Sequence, residues 1–199
     1  MTTMPLYRKI LGAEFDRMPA PVRAVHDFTG RYVGEGTATV ERGNAVARWI
    51  AVLLGMPLAG CDRPVRIEID ATTNGELLAR YYPDCTLRTF QSCETRNGQN
   101  LLGEKFGPFR LLIELTGHDR GCDFRLVRWS LGPVPLPMAL APRLVANERL
   151  HDGRHRFLVR ISLPLIGLLL GYEGDVETII PSNATLCHDR SRAPRFDVL

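Results

Sequence analysis

Beyond Arg63 the chain is dominated by alternation of apolar and polar residues. "PVRIEID" sets Val65, Ile67 and Ile69 against Arg66, Glu68 and Asp70, and "RHRFLVRISLPL" sets Phe157, Val159 and Ile161 against Arg156 and Arg160. A period of two is the signature of a strand with one buried face. "LLARYYP", "TLRTFQSCET", "NLLGEKFG", "FRLLIELTG", "DFRLVRWSL", "RLVANERL" and "GLLLGYEGDVETII" continue the pattern. Asn74-Gly75, Asn97-Gly98 and Asp152-Gly153 fall between successive segments and mark tight hairpin turns. About ten strands in hairpin succession predict a strongly curved antiparallel sheet or a β-barrel of about eight to ten strands.

The N-terminal part has a different period. In "LYRKILGAEFDRMPAPVRAVHD" the apolar residues Leu6, Ile10, Leu11, Phe15 and Met18 recur at helical spacing, "MPAP" interrupts them, and Pro21 opens a second short helix. "NAVARWIAVLLGMP" predicts a further helix near residues 44–55, with Asn44 as N-cap, Gly55 after the last turn and Pro57 as a stop. Between them, "DFTGRYVGEGTATVERG" reads as a long bent strand. Gly34 and Gly36 lie inside it rather than between a strand and a helix, which excludes a dinucleotide-binding turn. The expected fold class is therefore α+β, with N-terminal helices packed on the curved sheet or barrel. One domain is expected over residues 1–181, followed by a loosely structured tail over residues 182–199 that shows no periodicity.

Composition narrows the function classes. Apolar residues make up 45% and charged residues 24%, the proportions of a globular protein. The net charge of +3 and the scattering of the arginines argue against nucleic acid. There are five cysteines, an odd number with no C-x-x-C pair, and the N-terminal stretch lacks the apolar core of a signal peptide. The expectation is a cytoplasmic protein with reduced thiols, most of them small buried hydrophobes and Cys187 the exposed one.

Several segments in order also carry a resemblance. "LYRKILGAEFDRMPAPVRAVHD", "VERG…ARWIAVLLGMPLAG", "EKFGPFRLLIEL", "RWSLGPVPLPMALAPRL" and "HRFLVRISLPLIGLLLGYEG" resemble an uncharacterised bacterial domain-of-unknown-function family (number 4166), over about residues 5 to 177. In that family the domain is sometimes fused behind a saccharopine-dehydrogenase-like NAD(P)-binding domain. The resemblance implies partnership with an oxidoreductase and supplies no catalytic residue.

Candidate chemistry is sparse. His26-Asp27, at the end of the second helix, is either a helix-terminal pair or a general base with its orienting carboxylate, and His26 is the best single candidate for proton transfer. His151 and His155 flank a hairpin turn, so they read as exposed turn residues rather than metal ligands. The charges Arg66/Glu68/Asp70, Arg110/Glu114, Arg125 and Arg156/Arg160 read as ion pairs on a solvated outer face. No metal and no cofactor is expected.

Three segments instead share leucines punctuated by Gly and Pro: "WIAVLLGMPLAG", "WSLGPVPLPMALAP" and "SLPLIGLLLGYEG". The run "LPLIGLLLGY" is ten residues, and as a helix it would span only ~15 Å of a ~30 Å hydrocarbon core, so it does not cross a membrane. The expected ligand-binding or interface residues are Trp49, Met56, Leu58, Trp129, Val134, Leu136, Met138, Leu140, Leu165, Ile166 and Tyr172, with the loops gathered at one end of the sheet as an apolar patch. The favoured function is a binding module for an apolar or lipid-like small molecule. The alternative is an accessory domain that docks on an oxidoreductase or a membrane surface through those loops. An enzyme using His26 or Tyr172 ranks third.

Overall fold

A computed structural model describes residues 4–180. The tail expected over residues 182–199, with Cys187, lies outside the described residues. Three short helical segments come first: α1 (Leu6–Leu11), a 3-10 turn (Gly12–Arg17) and α2 (Ala20–Ala24). Strand β1 (Arg31–Arg42) leads to α3 (Ala45–Leu53), whose Asn44 N-cap accepts from the Ala47 N–H as its residue type requires. Then follow β2 (Gly60–Thr72), β3 (Gly75–Tyr81), β4 (Thr86–Arg96), β5 (Gln99–Phe106), β6 (Phe109–His118) and β7 (Gly121–Leu131). The two-residue β8 (Val134–Pro135), β9 (Arg143–His151), β10 (Arg154–Leu163) and β11 (Gly167–Ile180) complete the chain.

Every ladder is antiparallel, and all but two join neighbours in the chain: β11 returns to β1, and β7 pairs with β9 past the short β8. The result is a closed up-and-down barrel of ten strands, with β8 lying outside against the end of β7. Closure pairs most strand edges and leaves one side open only along β7 beyond Phe124, at the start of β9 and on the short β8. Gly36 shows why β1 carries glycines: a Cβ there would stand 1.9 Å from the Asp175 carbonyl oxygen of β11.

The expected outer face is present. Arg66 pairs with Glu35 and Glu68, Arg110 with Glu94, Arg125 with Glu114, and Arg160 with Glu41. Inside, Val65, Ile67, Ile69, Phe157, Leu170 and Tyr172 form one core cluster with the small residues Ala47 and Ala51 of α3. A second cluster joins Leu6, Tyr7, Leu11, Phe15 and Val22 of the N-terminal helices to Leu102, Ile113 and Leu115. Antiparallel alternation therefore gives the barrel two different ends. The N-terminal helices plug one. At the other sit α3, the segment after it, and the β7–β9 and β10–β11 connections.

Among the described residues, Cys61, Cys85, Cys93 and Cys122 are free thiols. Only Cys122 is fully buried, and Cys61 is exposed, contrary to its expected burial. The reason is local: Cys61 lies at the start of β2, beside Asp62 in a left-handed conformation, before the strand turns inward at Val65. No described helix is long and apolar enough to cross a membrane.

Candidate functional site

The barrel encloses a cavity of about 170 Å³ between its two core clusters. Alternation decides the lining. From β2 and β3 come Ile67, Ile69, Leu78 and Arg80, and from β4 and β5 come Leu87, Thr89, Gln91, Glu104 and Phe106. The far wall comes from β9, β10 and β11, through Leu144, Ala146, Glu148, His155, Phe157 and Tyr172. Most of this surface is apolar, with Arg80 on the β3 wall and a group of polar residues beside the helical plug.

There His26 and His155, each only 4% exposed, share the carboxylate of Glu148. Glu148 Oε2 accepts from His26 Nε2 at 2.7 Å and stands 3.5 Å from His155 Nε2. Tyr7 from α1 stacks on the His26 ring with centroids 3.6 Å apart. Burial alone would raise the Glu148 pKa, but the charges of His26 and His155 and their hydrogen bonding outweigh it and hold this carboxyl well below the usual range. Glu76 behaves in the opposite way. Burial pushes its pKa up, and its two compensations are the charge of His26 and the Leu6 N–H, which donates to Oε1 at 3.4 Å. Its Oε2 is buried without a partner. Gln91 Nε2 donates to Glu104 Oε1 at 3.5 Å across the same floor.

His26 thus lies inside the barrel, and its expected partner is corrected. Asp27 is exposed and pairs with Arg8, while the orienting carboxylate is Glu148, 122 residues away in sequence. The exposed-turn reading of the second histidine pair holds for His151 and fails for His155, which faces inward beside Phe157. The two alternate across β9 and β10 and do not converge. Sequence reasoning missed Glu76, Arg80, Glu104, Glu148 and His155. The signal was available: the parity that makes Phe157, Val159 and Ile161 core also contains His155, and that of Leu78 contains Glu76 and Arg80.

A carboxylate-oriented imidazole is the arrangement of a general base. Burial, with the charge of Glu148, pushes the pKa of the neighbouring Cys122 thiol up, away from the thiolate form. Among the described residues, no group of three or more His, Cys, Asp or Glu is arranged to hold a metal ion.

The residues of the three apolar segments divide. Met56 and Tyr172 are buried and line the cavity. Trp49, Leu58, Val134, Met138, Leu140 and Leu165 are exposed, and Trp129, Leu136 and Ile166 are half-buried. Topology brings all three connections to the α3 end. Side-chain hydrogen bonds tie two of them there. Asn44 Nδ2 donates to the Ile166 carbonyl at 3.0 Å, and the Arg42 guanidinium donates to the carbonyls of Met56 and Pro57. Helix α3 turns Ala47 and Ala51 inward, with Ile50 packed on the same core, and its other large apolar residues out: Trp49 is 69% and Leu53 71% exposed, with Val46 and Val52 beside them. On this side the wall is also incomplete. β7 pairs with β9 only from Gly121↔Arg149 to Phe124↔Ala146, and above that point β7 takes β8 as its partner at Ser130 and Leu131.

No curated protein and no solved structure matches the chain. A family model does, over residues 18–176, from α2's approach to the last turns of β11. The segments that carry the sequence resemblance build the helical plug, the barrel wall and its α3 end, and the chain belongs to the family described as Domain of unknown function (DUF4166).

Proposed function

We propose that this domain is a binding module that holds a small apolar, lipid-like molecule inside the barrel. The observation that carries the reading is the cavity inside the barrel, walled mostly by apolar side chains such as Ile67, Leu78, Leu87, Phe106 and Phe157. Apolar walls favour an apolar guest. A cavity of about 150 Å³ accepts benzene, so about 170 Å³ suits a single ring or a short acyl chain rather than a long one. The unzipped seam between β7 and β9, with Phe124, Leu144 and Ala146 at its fork, offers a path inward.

Calorimetric titration with a series of straight-chain alcohols and acids tests this. Each added methylene should tighten binding about fourfold, from ~0.8 kcal/mol of transfer free energy, until the chain outgrows the cavity. Affinity that is absent throughout, or indifferent to chain length, contradicts the reading.

A second reading rests on a separate observation, the outward apolar face of α3 with Leu58 and Leu165 at the same end. That face suits docking on a membrane surface or on an oxidoreductase partner. The two readings are compatible, since a carrier must hand its ligand to something.

A further inference from the structure

We propose that the molecule held in the barrel is an organic carboxylate whose head group pairs with Arg80. The proposal rests on the barrel being a ligand site and names the class of ligand. Arg80 lies on β3 between Ile67 of β2 and Leu87 of β4, both cavity-lining, so its register places it inside. Among the described residues it forms neither an ion pair nor a hydrogen bond. Every other described arginine is either exposed or paired with a carboxylate or a carbonyl. The guanidinium stands 6.0 Å from the ring centroid of Tyr172, itself buried in the cavity wall, and Glu104 and Tyr82 are the other groups nearby that act on its charge.

A guanidinium cannot shed its proton to escape burial, so its charge must be met by water or by an anion. At 6.0 Å the Tyr172 ring is within cation–π reach of the guanidinium, a contact that uses none of the N–H donors of its fork. The fork matches a carboxylate, which offers two oxygens in one plane and one negative charge. A phosphate dianion suits the site less well, because Glu104 and Glu148 line the same cavity and one guanidinium would face too much negative charge. A further unsatisfied donor is at hand: Thr89, which also lines the cavity, has a buried hydroxyl with no partner. The apolar walls then take the tail.

The test is titration of the whole chain with octanoate and with octanol, followed by native mass spectrometry. The wild-type protein should bind the acid roughly 10- to 100-fold more tightly than the alcohol, the worth of a charged hydrogen-bonded pair. Arg80→Met should abolish that preference, read as the ratio of the two affinities, and Arg80→Lys should restore part of it. Circular dichroism and Tm of Arg80→Met should show a folded protein, since an unpaired interior charge has been removed. If Arg80→Met does not fold, Arg80→Gln gives the same comparison. Equal binding of acid and alcohol by the wild type, or undiminished acid binding by the variant, overturns carboxylate recognition while leaving the apolar-ligand reading in place. Binding of neither molecule overturns both.

Discussion

Glu76 and Glu148 occupy one barrel floor and answer to different neighbours. Glu76 has one long hydrogen bond and a bare Oε2, so burial wins and its pKa rises. A carboxyl with a raised folded pKa contributes stability that is whole below its unfolded value, near ~4.3, and is lost as pH climbs through the folded value. Glu76→Gln should therefore raise Tm at about pH 8 and leave it unchanged at about pH 4. A lower Tm at the higher pH would mean that the ionised carboxylate stabilises the fold. Glu148 carries the opposite sign. Burial works against its charge, but His26 and His155 depress its pKa, so its contribution is whole above ~4.3 and disappears on further acidification. Glu148→Gln should cost roughly 1–3 kcal/mol at neutral pH, because it strips a charged acceptor from two buried imidazoles. Loss of the acid-side stability difference between variant and wild type is the check.

At the scale of elements, α3 inverts the usual helix. Ala47 and Ala51 face the barrel, and Val46, Trp49, Val52 and Leu53 face out. Leu165, at the tip of the β10–β11 turn, is fully exposed with φ 66°. Exposed positions tolerate charge at about ±0.5 kcal/mol, so Trp49→Glu with Leu165→Glu should leave Tm nearly unchanged while removing any sedimentation with anionic vesicles. Persistent sedimentation would dismiss this face as a docking surface. The strands and hairpins were legible because each alternates and each turn has its own residue signature. The inward polar positions were not, although they share parity with the core, because a lone charged residue in phase with leucines reads as noise until its partner is known. For His26 that partner is 122 residues away. Helix α3 was legible in its limits and not in its facing, since both of its sides carry apolar residues.

For the whole molecule, closure is what converts a meander into a container. It depends on β1 meeting β11 from Val33↔Ile180 to Arg42↔Leu170, a pairing of the first strand with the last that no local pattern encodes. The same closure brings floor, wall and guanidinium around one cavity, and the central claim is that this cavity, rather than the α3 surface, receives the ligand. Methyl-resolved NMR during titration with octanoate tests that claim most directly. Shifts are predicted for the interior methyls of Ile67, Leu78, Leu87, Ile161 and Leu170, all of which line the cavity, with those of Val46, Val52 and Leu53 on α3 unmoved. Shifts confined to the α3 methyls, or none at all, would contradict it.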